Sequence, residues 1–112
     1  MTTNTAAQGR HLKFAIPTTG GRLCRRFGQC EQFAFIAVHA TDRQILATVM
    51  LAQPRDSPEG LAAWLAGLGV SHVIACGLGA LEHDLLVRQG IEVVAGDAGA
   101  DPEGLVLAHL AG

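Results

Sequence analysis

Three apolar runs follow one another before the chain reaches its first helix-start signal, and this order restricts the fold more than any other feature. Leu12, Phe14 and Ile16 alternate with Lys13 and Ala15, which predicts a first strand stopping at Pro17. Thr18, Thr19, Gly20 and Gly21 then read as a turn. Residues 33–38, from Phe33 to Val38, are apolar throughout, as expected of a strand covered on both faces. Thr41, Asp42 and Arg43 break the pattern and predict a hairpin into a third strand, Gln44 to Leu51.

Helices enter after these strands. Ser57, Pro58 and Glu59 supply an N-cap, a proline at the first helical position and an acid in the first turn. Leu61, Trp64, Leu65 and Leu68 form the apolar stripe of a helix that Gly69 closes. His72 to Cys76 predicts a short buried strand, and Gly77-Leu78-Gly79 leads into a second helix with Leu81, Leu85 and Leu86 inward. Gly90 ends that helix, Ile91 to Ala95 is a fifth strand, and Asp101-Pro102-Glu103 caps a last helix running toward His109. The order is βββαβαβα. Strands joined by short turns run antiparallel, whereas strands joined through helices run parallel by crossovers. With the fourth strand beside the first, the expected fold is α/β with a mixed five-stranded sheet in which only strand 2 is antiparallel. Strands 1, 3, 4 and 5 then end at one edge, at the switch point where open α/β sheets place ligands. That edge collects residues 18–30, 53–57, 76–79 and 96–101.

A chain of 112 residues suits one domain, placed here at 12–112, with the polar residues 1–11 as a disordered lead-in. Nothing in that lead-in forms the apolar core of a signal peptide. Residues 60–81 carry no formal charge, but Gly67 and Gly69 divide them, so they are expected to be core rather than a membrane span. The expectation is a cytoplasmic protein. A net charge of −2 gives no global attraction to nucleic acid or to an anionic membrane. The charges are unevenly placed, however: residues 1–56 carry +4 and residues 57–112 carry −6. Arg22, Arg25 and Arg26 cluster in the first segment, either as a solvated loop or as a local anion site.

The three cysteines, Cys24, Cys30 and Cys76, are odd in number and widely spaced, which argues against a disulfide framework. Each could be a small buried hydrophobe. Strand order, however, brings all three toward one crevice. Thiolates are soft ligands for iron–sulfur clusters, copper(I) or zinc, and nearby positive charge favours the thiolate form. Arg22, Arg25 and Arg26 provide that charge, and the helix opened by Gly77 and Gly79 offers backbone N–H groups. His83 could complete a ligand set, although its position suits an exposed helix residue. His39 and His72 are expected at the opposite end of the sheet, and His11 and His109 carry no readable signal. Gly77-x-Gly79 lacks the third glycine of a dinucleotide fingerprint, and no Walker lysine follows a glycine loop. The first strand has no paired carboxylates for magnesium chemistry.

Several segments together resemble the dinitrogenase iron–molybdenum cofactor-binding family. They are Lys13-Phe14-Ala15-Ile16-Pro17-Thr18, Gly21-Arg22-Leu23, and Phe27-Gly28-Gln29-Cys30 followed by Phe33. Gly60-Leu61, Trp64-Leu65, Leu68-Gly69-Val70, His72 to Ala75, Gly77-Leu78-Gly79 and Gly90-Ile91 continue the likeness, which spans residues 12 to 110. The resemblance implies a three-layer α/β/α, ribonuclease-H-like fold and no catalysis. It implies binding and carriage of the iron–molybdenum cofactor, its precursor or another iron–sulfur or mixed-metal cluster, exchanged with cofactor-assembly or target metalloproteins. On this reading Cys24, Cys30 and Cys76 are metal ligands. Thr18, Gly21, Arg22, Arg25, Arg26, Phe27, Gly28, Gly77 and Gly79 surround the cargo, and the protein is a monomer or weak homodimer.

The chain departs from the family pattern in a consistent direction. Arg26 replaces a histidine common before the Phe-Gly pair, and residues 53–59 lack a histidine common before the first helix. Cys24 and Cys76 stand where a small polar residue and a glycine are more usual. Imidazoles are lost and thiolates gained. Two alternatives stay open: a metal-free regulatory or interaction module, and an enzyme with a reactive thiol at Cys30 or Cys24.

Overall fold

The structure is a computed structural model describing residues 11–27, 29–39, 41–55 and 57–111. The expected lead-in, apart from His11, lies outside the described residues, as does Gly28. The chain forms β1 (His11–Thr19), β2 (Arg22–Leu23), β3 (Gln32–His39), β4 (Gln44–Ala52), α1 (Pro58–Gly67), β5 (His72–Ala75), α2 (Ala80–Arg88), β6 (Glu92–Ala95) and α3 (Pro102–Ala111). The sheet runs β4-β3-β1-β5-β6, with β2 paired to the end of β1. The β1–β3 and β3–β4 pairs are antiparallel, and the β1–β5 and β5–β6 pairs are parallel. Of the five long strands only β3 is reversed, as the element order requires.

Two details differ from expectation. The sheet has six strands rather than five, because Gly20 and Gly21 adopt φ of 65° and 79° and turn the chain back on itself. Two successive residues with positive φ make the hairpin turn whose twist matches that of its strands. Thr19 pairs with Arg22 and Thr18 with Leu23. β1 also continues through Pro17 to Thr19. In a strand the N and O of one residue point to the same side, and the Pro17 carbonyl accepts from Cys24 N at 3.0 Å, away from β3. The missing Pro17 N–H therefore faces a flank that β5, paired only to Phe14 and Ala15, does not reach.

Alternation along β1 sends its side chains to two separate cores. Ala15 joins Phe33, Phe35, Leu61, Leu65, Val73 and Leu86 beneath α1 and α2. Phe14 and Ile16 join Ile36, Val38, Ile74 and Val106 beneath α3. This is the expected three-layer α/β/α arrangement. The helix starts follow their capping residues: Ser57 Oγ accepts from Gly60 N at 3.1 Å, and Asp101 Oδ2 from Gly104 N at 2.9 Å. β4 forms one edge of the sheet and leaves Leu46 and Val49 exposed.

Candidate functional site

The ends of β1, β4, β5 and β6 converge as the strand order predicts, and main-chain hydrogen bonds knit their loops together. Leu23 N donates to Ala100 O at 3.0 Å, and Gly99 N donates to Leu23 O at 2.8 Å. Glu31 N donates to Thr18 O at 3.0 Å, and Gln53 N to Glu31 O at 3.2 Å. The resulting crevice has a volume of about 590 Å³. Arg22, Cys24, Arg25 and Arg26 form one side with Thr19 and Gln29, and Ala98 and Gly99 form the other. The three arginines are exposed, and Arg22 Nη1 donates to Gly99 O at 3.2 Å across the opening.

The three cysteines do not come together as three free thiols. Cys24 and Cys30 are joined as a disulfide, with Cα atoms 6.1 Å apart. The turn in which Gln29 N bonds Arg26 O brings them inside the usual Cα separation of about 4.4–6.8 Å. Both sulfurs lie beside the Arg26 carbonyl oxygen, at 3.3 and 2.9 Å. Cys76 is free and half-buried, and its side chain packs against the core beneath α3. The three sulfurs are not gathered within 4.8 Å of one another, the spacing a single ion would call for. Of the three cysteines expected as ligands, Cys24 and Cys30 thus lie together and Cys76 lies apart from them, because it follows β5 toward the other face of the sheet.

Other expected residues support the crevice without lining it. Thr18 is fully buried, and its hydroxyl donates to Gln32 O at 3.2 Å. Phe27 is buried edge-on against Phe33, with ring centroids 5.9 Å apart, and anchors the loop in the core. Gly21 forms the β1–β2 turn. Gly77, with φ of 69°, lies so close to the Arg25 carbonyl that a Cβ would collide with it. Gly79 caps α2, but the Glu82 carboxylate folds over it, so the chain's own anion covers that helix end. His83 is exposed. Thr19, Leu23, Gln29, Ala98 and Gly99 line the crevice beyond the residues expected there. Their loops were placed at this edge, but none has a side chain that singles it out.

His72 lies at the opposite end of the sheet, as expected, but it is not isolated. His72, Glu92 and His109 form a compact group there. Burial holds the His72 imidazolium below its ordinary pKa, Glu92 opposes that shift, and His109 adds to it. Ser71 is its other polar neighbour. An unfolded histidine titrates near 6.5 and the folded one lower, so the unfolded state binds more protons between those values. The His72 contribution to stability is complete above the unfolded pKa and is lost as pH falls through the folded one. In chelator, denaturant midpoints should fall below pH ~6.5, and the difference from His72→Asn isolates this contribution.

The sequence profile described as dinitrogenase iron-molybdenum cofactor matches residues 10–112. The chain belongs to this family. No curated protein sequence matches it. Among solved structures it is similar to the protein PH0822, with TM-score 0.79 and 19% identity over 89% of both chains. It is also similar to a candidate dinitrogenase from Methanocaldococcus jannaschii, with TM-score 0.71 and 16% identity over 90% of this chain and 89% of that one. The apo orange protein from Desulfovibrio gigas gives TM-score 0.71 and 20% identity over 88% and 87% of the two chains. At these identities the structural likeness establishes the fold. No helix among the described residues is long and apolar enough to cross a membrane.

Proposed function

We propose that the chain binds an anionic metal–sulfur cluster as cargo in the arginine-lined crevice and passes it to cofactor-assembly or target metalloproteins, without catalysing a reaction. The observation that carries this reading is the position of Cys24 on the same crevice side as Arg22, Arg25 and Arg26. Two-electron reduction of the Cys24–Cys30 disulfide by an external dithiol, itself oxidised to a disulfide, would present two adjacent soft ligands. The guanidinium groups would stabilise them as thiolates and balance cluster charge. An iron–sulfur or iron–molybdenum–sulfur cluster fits this donor set. Two thiolates leave other metal positions unclaimed by protein, which suits cargo that must leave again. Cys76 joins only if its loop moves across the sheet edge. Family membership and the absence of a competing phosphate or dinucleotide motif support the same reading, and the cytoplasm is the compartment that suits it.

Anaerobic reconstitution with iron and sulfide, with and without molybdate, tests the proposal by absorption and EPR spectroscopy. The pre-reduced protein should acquire a chromophore that Cys24→Ser and Cys30→Ser abolish, Arg25→Ala with Arg26→Ala weakens, and Cys76→Ser retains. Prior oxidation of the pair should block loading. A reduced protein that stays colourless, or a chromophore indifferent to both Cys24→Ser and Cys30→Ser, would overturn it and favour the metal-free module.

A further inference from the structure

His72, Glu92 and His109 come from three elements that meet at the sheet edge opposite the crevice. Parallel pairing of β5 and β6 sets His72 directly beside Glu92, and the last turn of α3 brings His109 over them. Their ligand atoms all lie within 4.8 Å of one another, and His72 Nε2 is 3.6 Å from Glu92 Oε1. The rings are held in place. His72 stacks on Phe14 with centroids 4.6 Å apart and planes inclined by 21°. His109 meets both Phe14 and His72 edge-on, at 5.6 and 5.5 Å.

The hydrogen bonds around Ser71 favour one use of the His72 ring. Ser71 Oγ donates to Lys13 O at 3.1 Å and accepts from Lys13 N at 3.0 Å. With its proton on Lys13 O, the hydroxyl has one lone pair left, 2.8 Å from His72 Nδ1, which accepts a hydrogen bond from the Nδ1–H tautomer of that ring. In that tautomer the Nε2 lone pair points toward a carboxylate oxygen, an arrangement that a cation held between them, a metal ion or a proton, stabilises. Metal-bound histidines make the same second hydrogen bond, from the ring nitrogen that does not bind the ion.

We propose that His72 Nε2, Glu92 and His109 bind a divalent first-row ion such as Zn²⁺, separate from the cysteine crevice. Two imidazoles and one carboxylate are an established donor set for this ion, with the fourth position left to water or an outside ligand. With zinc bonds of about 2.0–2.2 Å, tetrahedral ligand atoms lie about 3.3 Å apart. Closing from the observed spacing asks only for rotation of exposed Glu92 and a small shift in the terminal turn of α3. The bound ion would tie α3 to β5 and β6. This proposal is independent of the cluster reading.

The test titrates chelator-treated protein, its Cys24–Cys30 disulfide kept oxidised and Cys76 alkylated, with Zn²⁺ by calorimetry and with Co²⁺ by visible absorption. One equivalent should bind, with cobalt bands free of sulfur charge transfer, and Zn²⁺ should raise Tm. Glu92→Gln and His109→Gln, which leave the sheet intact, should each weaken binding at least tenfold and abolish the Tm rise. Ser71→Ala should weaken it about ten- to a hundredfold. His83→Gln should change nothing. Absence of binding, or unchanged affinity in both Glu92→Gln and His109→Gln, would overturn the proposal. A Zn²⁺-dependent Tm rise that persists when Glu92→Gln and His109→Gln are combined would do so as well.

Discussion

Phe33→Ala should lower stability by about 3–5 kcal/mol, the range for emptying a fully packed aromatic site. Phe33 is fully buried and meets three rings: Phe27 at 5.9 Å, Phe35 at 6.0 Å and Trp64 at 5.8 Å. Those partners belong to the crevice loop, β3 and α1, so a cavity here loosens three segments together. Such a loss corresponds to a Tm decrease of roughly 10–20 °C in a domain of this size. The denaturant midpoint should shift with little change in slope, because the surface exposed on unfolding is nearly unchanged. Phe33→Leu keeps most of the volume and should cost about 1 kcal/mol. A loss below 1 kcal/mol in Phe33→Ala would mean that the aromatic cluster does not hold the loop.

Gly77→Ala should produce the second large effect, and Gly90→Ala supplies its control. Both glycines have positive φ, 69° and 80°, so a side chain at either pays left-handed strain of about 1–2 kcal/mol. Open space surrounds Gly90, whereas a Cβ at Gly77 drives into the Arg25 carbonyl. A backbone atom cannot swing aside as a flexible side chain would, so the 25–26 segment must shift. Gly77→Ala should therefore cost about 1–3 kcal/mol more than Gly90→Ala. It should also speed alkylation of reduced Cys24, whose neighbours are displaced. Equal losses in the two variants would remove the close contact between these loops from the account.

The long strands, the helix starts and the loop convergence were legible because each depends on local pattern. The Phe14–Ile16 alternation, the Ser57 and Asp101 caps and the element order leave few ways to assemble the sheet. β2 was not legible: two residues carry no periodicity, and the strand exists because Gly20 and Gly21 turn the chain. The extension past Pro17 depends on which side its missing donor faces, which only β5's short pairing reveals. The Cys24–Cys30 pairing follows from the turn at Arg26–Gln29 rather than from cysteine spacing. The histidine group escaped notice because residues 72, 92 and 109 share no motif. The β5–β6 register and the docking of α3 bring them together.

The rim of the crevice is tied by Leu23 to Ala100, Gly99 to Leu23 and Cys24 to Pro17, each bond running between main-chain atoms. These bonds do not depend on which side chains occupy positions 25 and 26, although the Cys24 side chain adds its own link to Cys30. Such a rim works as a socket with interchangeable pins. Arginine at positions 25 and 26 can be exchanged for another side chain while these main-chain bonds keep the frame in place, so the chemistry of the crevice wall is separable from its shape.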